Sequence, residues 1–180
     1  KEVVSNFKGL ESRRKTNLQI LVPDKTILVE IDRQKIEEVL YNLLSNAFKH
    51  TSENHSIKVS LEMMEKASSG NDETTIRITV FNEGKDISDE DKVRIFERFY
   101  KVSEKVEGAG IGLSFSKSLI EMHGGTIGVE SVDDVGVAFH VDLPFKHIEV
   151  IDGVFVEDAA KAFSWHEDVY NVDQVHELEN

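Results

Sequence analysis

The chain contains no cysteine, two prolines and one tryptophan, and its apolar runs all fall short of the roughly 18 residues that a membrane-spanning helix needs. Without cysteine there is no disulfide framework and no thiol chemistry, which fits a reducing compartment. No charged start followed by an apolar middle marks a secretory leader, so the cytoplasm is the expected location. Basic residues are also scarce. Lysine and arginine number 21 against 34 acids, for a formal net charge of -13. That balance argues against sequence-independent binding to nucleic acid or contact with an anionic membrane, since both rest on basic patches. An anionic ligand would need a local exception. At 180 residues the chain is long enough to bury a core, and one domain with an appendage is the natural expectation.

Alternation with period two predicts strands in "KTILVEID" through Ile27, Val29 and Ile31, in "IKVSLEMM" through Ile57, Val59, Leu61 and Met63, and in "TTIRITVF" through Ile76, Ile78 and Val80. "TIGVES" and "GVAFHVDLP" follow late, joined by a turn at Asp133 and Asp134. The polar run 65–73 reads as a hairpin loop. Helical spacing of Ile36, Val39, Leu40, Leu43, Leu44, Ala47 and Phe48 predicts a helix over about 33–50, opened by Asp32 as N-cap. A second helix begins at Ser88, and a third spans 112–123 before Gly124 and Gly125 stop it. Helices covering one face of a mixed or antiparallel sheet make the class α+β in two layers. From Phe145 onward the chain is acidic, with scattered aromatics such as Phe155, Phe163 and Trp165, and is expected to be a linker that packs back or docks on a neighbour.

Two segments carry candidate chemistry. In "VLYNLLSNAFKHT" the polar residues Asn42, Asn46 and Lys49 recur at i, i+4 and i+7, forming a stripe beside the apolar one with His50 on its flank. Asparagine is a poor mid-helix choice on propensity, whereas a carboxamide oxygen suits magnesium and an ammonium suits phosphate oxygens. A solvated helix face would give the same letters. In "GAGIGLSFSK" the glycines Gly108, Gly110 and Gly112 allow backbone N–H groups to approach a ligand, and the helix they open offers unpaired donors with partial positive charge. A flexible lid gives the same pattern, and neither a P-loop nor a Rossmann turn fits it.

Taken in order, "NLLSNAFKH", "VFNEGKDIS", "IFERFYK" and "GAGIGLS" resemble the asparagine box, first glycine box, phenylalanine box and second glycine box of the ATP-binding domain of bacterial sensor histidine kinases. That family is a branch of the one that includes DNA gyrase and MutL. The resemblance runs from about 17 to 145, and "HGGTIGVES" and "GVAFHVDLP" match its closing strands. It implies a Bergerat-type two-layer α/β sandwich, its sheet mixed and mostly antiparallel, with ATP between the helices and a mobile lid. It also implies that Asn46 ligates magnesium with support from Asn42, and that Lys49, His50 and Lys101 meet the phosphates. Asn82, Gly84 and Ile87 of the first glycine box, and Gly108, Gly110, Ile111, Gly112 and Leu113 of the second, are expected to contact the nucleotide. Phe96 and Phe99 are expected to anchor the base of the lid, and His123 to end its helix.

Asn82 and Asp86 stand where the family usually has aspartate and glycine. A neutral carboxamide accepts a hydrogen bond without the strength of a charged one, so adenine selectivity is expected to fall. The implied activity is transfer of the terminal phosphoryl group of ATP to a histidine on an acceptor dimerisation domain, with a response regulator or receiver domain downstream. The chain itself has no acceptor-like segment. Residues 1–16 look like the exit from the acceptor helices, and the full-length protein could be a membrane-bound sensor with this part in the cytoplasm. The competing reading is a nucleotide-binding or interaction module without kinase activity, with Asn82 and Asp86 as its symptoms.

Overall fold

The computed structural model describes residues 2–23, 27, 29, 31–68, 71–103, 108–132 and 135–145. The expected C-terminal linker, 146–180, lies outside them. Short helices α1 (Glu2–Ser5) and α2 (Lys8–Arg14) lead to strand β1 (Asn17–Leu21), then come α3 (Arg33–His50), β2 (Ser56–Ser68) and β3 (Asn71–Glu83). After α4 (Asp89–Arg94) and α5 (Gly112–Met122) the chain closes with β4 (Thr126–Val132) and β5 (Gly136–Phe145). The five strands form one sheet in the order β1-β2-β3-β5-β4, parallel between β1 and β2 and antiparallel elsewhere.

Sheet register sorts the side chains by face. Val59 pairs with Val80, Val80 with Phe139 and Phe139 with Val129, so these four form one apolar row beneath the helices. Three residues along, Glu62, Arg77, Asp142 and Thr126 form a row on the opposite face. There Arg77 Nε and Nη2 both donate to the Asp142 carboxylate at 2.7 Å, a bidentate pair that bridges the neighbouring strands β3 and β5. On the covered face α3 contributes Leu43, Leu44 and Phe48, all essentially fully buried together with Ile57, Val80 and Val141. Val4 and Phe7 belong to the same core, and the Phe7 ring stacks on Phe48 at 5.4 Å.

Both ends of α3 are tied down. Asp32 is the N-cap, accepting the Lys35 backbone N–H at 3.2 Å, and hydrogen bonding from Lys35 holds its carboxyl below the usual range. The Asp32 N–H in turn donates to His123 Nε2 at 3.1 Å. Because Nε2 must then be the acceptor, Nδ1 carries the proton and donates to the Leu119 carbonyl at 2.7 Å. His123 therefore caps α5, as expected, and also pins the end of α5 to the start of α3.

Two expectations are corrected. The described residues of 27–31 carry no strand: Ile27 is buried and Ile31 packs on the core, but no strand pairs with them. Their alternation reports burial on one side without a ladder. The additional strand is β1, whose exposed Ile20 and Leu21 hid it from a search for alternation. The hairpin loop is also shorter than 65–73, since the β2–β3 ladder continues to the pair Ser68 and Asn71.

Leu43→Ala is expected to lower unfolding free energy by about 2–5 kcal/mol in urea titration, from lost burial plus the cavity left behind. Val93→Ala, at a position 78% exposed, should change it by less than about 0.5 kcal/mol.

Candidate functional site: a cavity between α3 and the α5 entry loop

Burying the apolar stripe of α3 turns its polar stripe toward the loop that enters α5. Between them lies a cavity of ≈ 560 Å³. Asn42, Asn46, Lys49 and His50 line one side, and Gly108, Gly110, Ile111, Gly112 and Leu113 line the other. Asn82, Ile87 and Lys101 are also in the wall. Of the residues expected at a nucleotide, Gly84 alone is absent from the lining. Its place is structural: a Cβ there would lie 3.0 Å from the His50 carbonyl oxygen, so glycine lets the end of β3 pack on the end of α3.

The glycines of the entry loop do different jobs. Gly110 has φ +69, and a Cβ on it would come within 2.8 Å of the backbone of Phe99 and Tyr100. Its carbonyl accepts the Phe99 N–H at 2.8 Å. The requirement for glycine at 110 is thus set by the segment 99–100. Gly112 faces the Asn42 carboxamide, with Oδ1 at 3.6 Å from the position of a Cβ, and Gly108 similarly faces Lys49 Nζ at 3.7 Å. Asn42 Nδ2 donates to the fully buried Ser116 hydroxyl at 3.4 Å, which leaves Oδ1 as the free acceptor and joins α3 to α5. Helix α5 starts at Gly112 without a side-chain cap, so its first N–H groups and the positive end of its dipole are available beside the cavity.

The base of the lid departs from expectation. Phe96 packs edge-on against Phe139, as an anchor should, but the Phe99 ring is 70% exposed and its backbone is left-handed at φ 67. Tyr100 is the side chain that holds this point. Its hydroxyl donates to Asp91 at 2.5 Å, and the Arg94 guanidinium lies 4.4 Å from its ring centroid. Ser88, then Tyr100, keep the Asp91 carboxyl below its usual range by hydrogen bonding, and the bond to Asp91 raises the Tyr100 phenol. Sequence reading also missed Lys85 and Phe139 in the wall. Lys85 was legible as the residue after Gly84, whereas Phe139 is delivered only by the register of β5.

Lys49, Lys85 and Lys101 bring positive charge to the cavity of an acidic chain, and none forms an ion pair among the described residues. Asp86 is the one acid in the wall among the described residues. The neighbouring Ser131 hydroxyl, then the Ile87 N–H at 2.7 Å, hold its carboxyl below the usual range. Asn82 is 3% exposed, and no described residue hydrogen-bonds its carboxamide, so a donor and an acceptor are available at the cavity wall. His50 is pushed below its ordinary value by desolvation and then by Lys49.

With this geometry in view, the comparisons are specific. Residues 31–147 match the family of histidine kinase-, DNA gyrase B-, and HSP90-like ATPases, and the chain belongs to that family. ATP binding goes with that membership. The chain is 35% identical over 129 residues to the sensor histidine kinase WalK of Bacillus subtilis, covering 69% of this chain and 20% of that protein. The catalytic domain of the histidine kinase ThkA, in a nucleotide-free form, superposes with a TM-score of 0.69 at 32% identity, covering 80% of this chain and 88% of that one. A structure of ThkA in complex with the response regulator protein TrrA matches with a TM-score of 0.66 at 30% identity, covering 81% of this chain and 39% of that one. The sheet and its helices are those of the family's catalytic domains. No helix among the described residues is long and apolar enough to cross a membrane.

In an NMR titration His50 should titrate below the ordinary 6.5, and Lys49→Gln should move it part of the way back. The sign for stability follows. A histidine whose folded pKa is depressed disfavours the folded state as pH drops from 6.5 through the folded value, so its contribution is complete only above that window.

Proposed function

We propose that the cavity binds ATP with magnesium, and that the chain is the ATP-binding catalytic domain of a two-component sensor histidine kinase. It would pass the terminal phosphoryl group to a histidine on an acceptor domain that is not in this chain. The observation that carries this reading is the convergence of the Asn42, Asn46 and Lys49 stripe with the loop 108–113 on one cavity. Triphosphate charge would be met by Lys49, Lys101 and the open N–H groups of α5, which supply positioning and electrostatic stabilisation. The neutral His50 can donate a hydrogen bond there without a further charge. Asn82, beside the apolar Val137 and Phe139, offers the polar contact for the base.

The donor set fits magnesium. The Asn46 carboxamide has no described protein partner and Asn42 keeps its oxygen free, giving hard neutral donors. No group of three His, Cys, Asp or Glu side chains that could hold a metal occurs among the described residues, so the ion would share its shell with phosphate oxygens and water. When bound, it would neutralise charge on those oxygens. The chain spans between about a tenth and two fifths of the length of the curated relatives it matches, which leaves room in a full-length protein for the acceptor domain. The ThkA complex with TrrA supports a response regulator as the next partner, and a cytoplasmic location suits both.

A second reading, binding without catalysis, draws on Asp86, whose ionised carboxylate lines the cavity among the lysines. Supplying an acceptor domain separates the two. With ATP and magnesium the chain should label the acceptor histidine, and Asn46→Ala should abolish the labelling. In calorimetry the same variant should lose the magnesium-dependent part of the ATP affinity and keep the part measured in EDTA. Binding with no transfer to any acceptor would favour the second reading.

Asn82 adds a prediction about the base. A carboxamide can flip to pair with either a 6-amino or a 6-oxo purine edge, which a carboxylate cannot do. Asn82→Asp should therefore increase the preference for ATP over GTP in competition binding, and an unchanged ratio would remove this role.

A further inference from the structure

The last carbonyls of a helix have no partner within it. At the end of α3 two of them are satisfied from beyond its last residue. The Ala47 carbonyl accepts the Thr51 N–H at 3.0 Å and the Thr51 hydroxyl at 2.7 Å, and the Phe48 carbonyl accepts Nη1 of Arg14 at 2.9 Å. Arg14 lies 34 residues before Phe48, on α2, and outside the family match at 31–147. α2 is itself held firmly. The Phe7 ring stacks within 11° of parallel on Phe48, and the Glu11 carboxylate accepts the Leu18 N–H at 2.9 Å. Directly after Phe48 come Lys49 and His50, both in the cavity wall.

We propose that Arg14 is a positioning residue for the phosphate side of the cavity, fixing the final turn of α3 so that Lys49 and His50 present their side chains to the ligand. Arg14 does not touch the ligand. Its guanidinium meets both an orphan carbonyl and the negative end of the α3 dipole, and a planar multi-donor group keeps that geometry better than a lysine ammonium. Released, the turn can fray, since helix ends are held only by such outside partners. Lys49 and His50 would then lose their fixed approach while Asn42 and Asn46, one or two turns earlier, would not. Arg14 is exposed, so its removal leaves no hole in the core.

The inference rests on the reading of the cavity as a triphosphate site, and the test separates the two. ATP affinity in magnesium is measured for the 180-residue chain, for Arg14→Ala, for Lys49→Ala and for the double variant. Arg14→Ala should bind roughly tenfold more weakly, on the scale of a hydrogen bond to a charged group. The double variant should fall within about twofold of Lys49→Ala, because residues acting through one another are not additive. Arg14→Lys should recover part of the loss. Unchanged affinity in Arg14→Ala, or losses that simply add, would overturn the role. Should the unaltered chain bind no ATP, the site reading fails first. The NMR titration of His50, which needs no nucleotide, then decides: a shift toward the ordinary value in Arg14→Ala supports the role, and an unmoved titration ends it.

Discussion

Everything at the cavity depends on how α3 lies on the sheet. An α-helix has one angular relation between its stripes, and burying Leu43, Leu44 and Phe48 fixes where Asn42, Asn46 and Lys49 must point. The hydrophobic contact thus orients the polar residues. No separate interaction is needed to hold the carboxamides in place, apart from the bond from Asn42 to Ser116 that joins α3 to α5. The apolar row Val59, Val80, Phe139 and Val129 does the same from below, since one of its members, Phe139, also lines the cavity. Core and site share residues.

Much of this was legible from the chain itself because helical periodicity is a strong signal over 18 residues. The span of α3, its cap at Asp32 and its two stripes could all be read directly. Adjacent sequence also located the entry loop. What could not be read was which contact each glycine serves. Gly110 owes its character to the backbone of Phe99 and Tyr100, about ten residues earlier, and only the folded chain brings these together. For the same reason the anchoring role expected of Phe99 falls to Tyr100: two neighbouring aromatics give no hint of which one turns outward until the left-handed backbone at Phe99 is seen.

Strands were the harder part. β1 gains its stability from a parallel ladder with β2 while exposing Ile20 and Leu21, so its sequence lacks the alternation that marks a half-buried strand. Ile27, Val29 and Ile31 alternate well and belong to no strand. Burial on one side produces that pattern whether or not a neighbour supplies hydrogen bonds. Arg14 was illegible for a related reason, because an arginine on a short, mostly polar helix reads as solvated until the carbonyl it caps is located.

Two of the stretches that wall the cavity, 42–50 and 108–113, have the whole β2–β3 hairpin between them along the chain. A guest that touches both is a removable, non-covalent cross-link across that interval. The unfolded chain offers no such paired walls, so each rise in guest concentration draws molecules out of the unfolded pool by mass action. Resistance to heat and to proteases then becomes a property of the solution as much as of the polypeptide. Filled and guest-free copies of one sequence would meet a cell's quality control as different molecules.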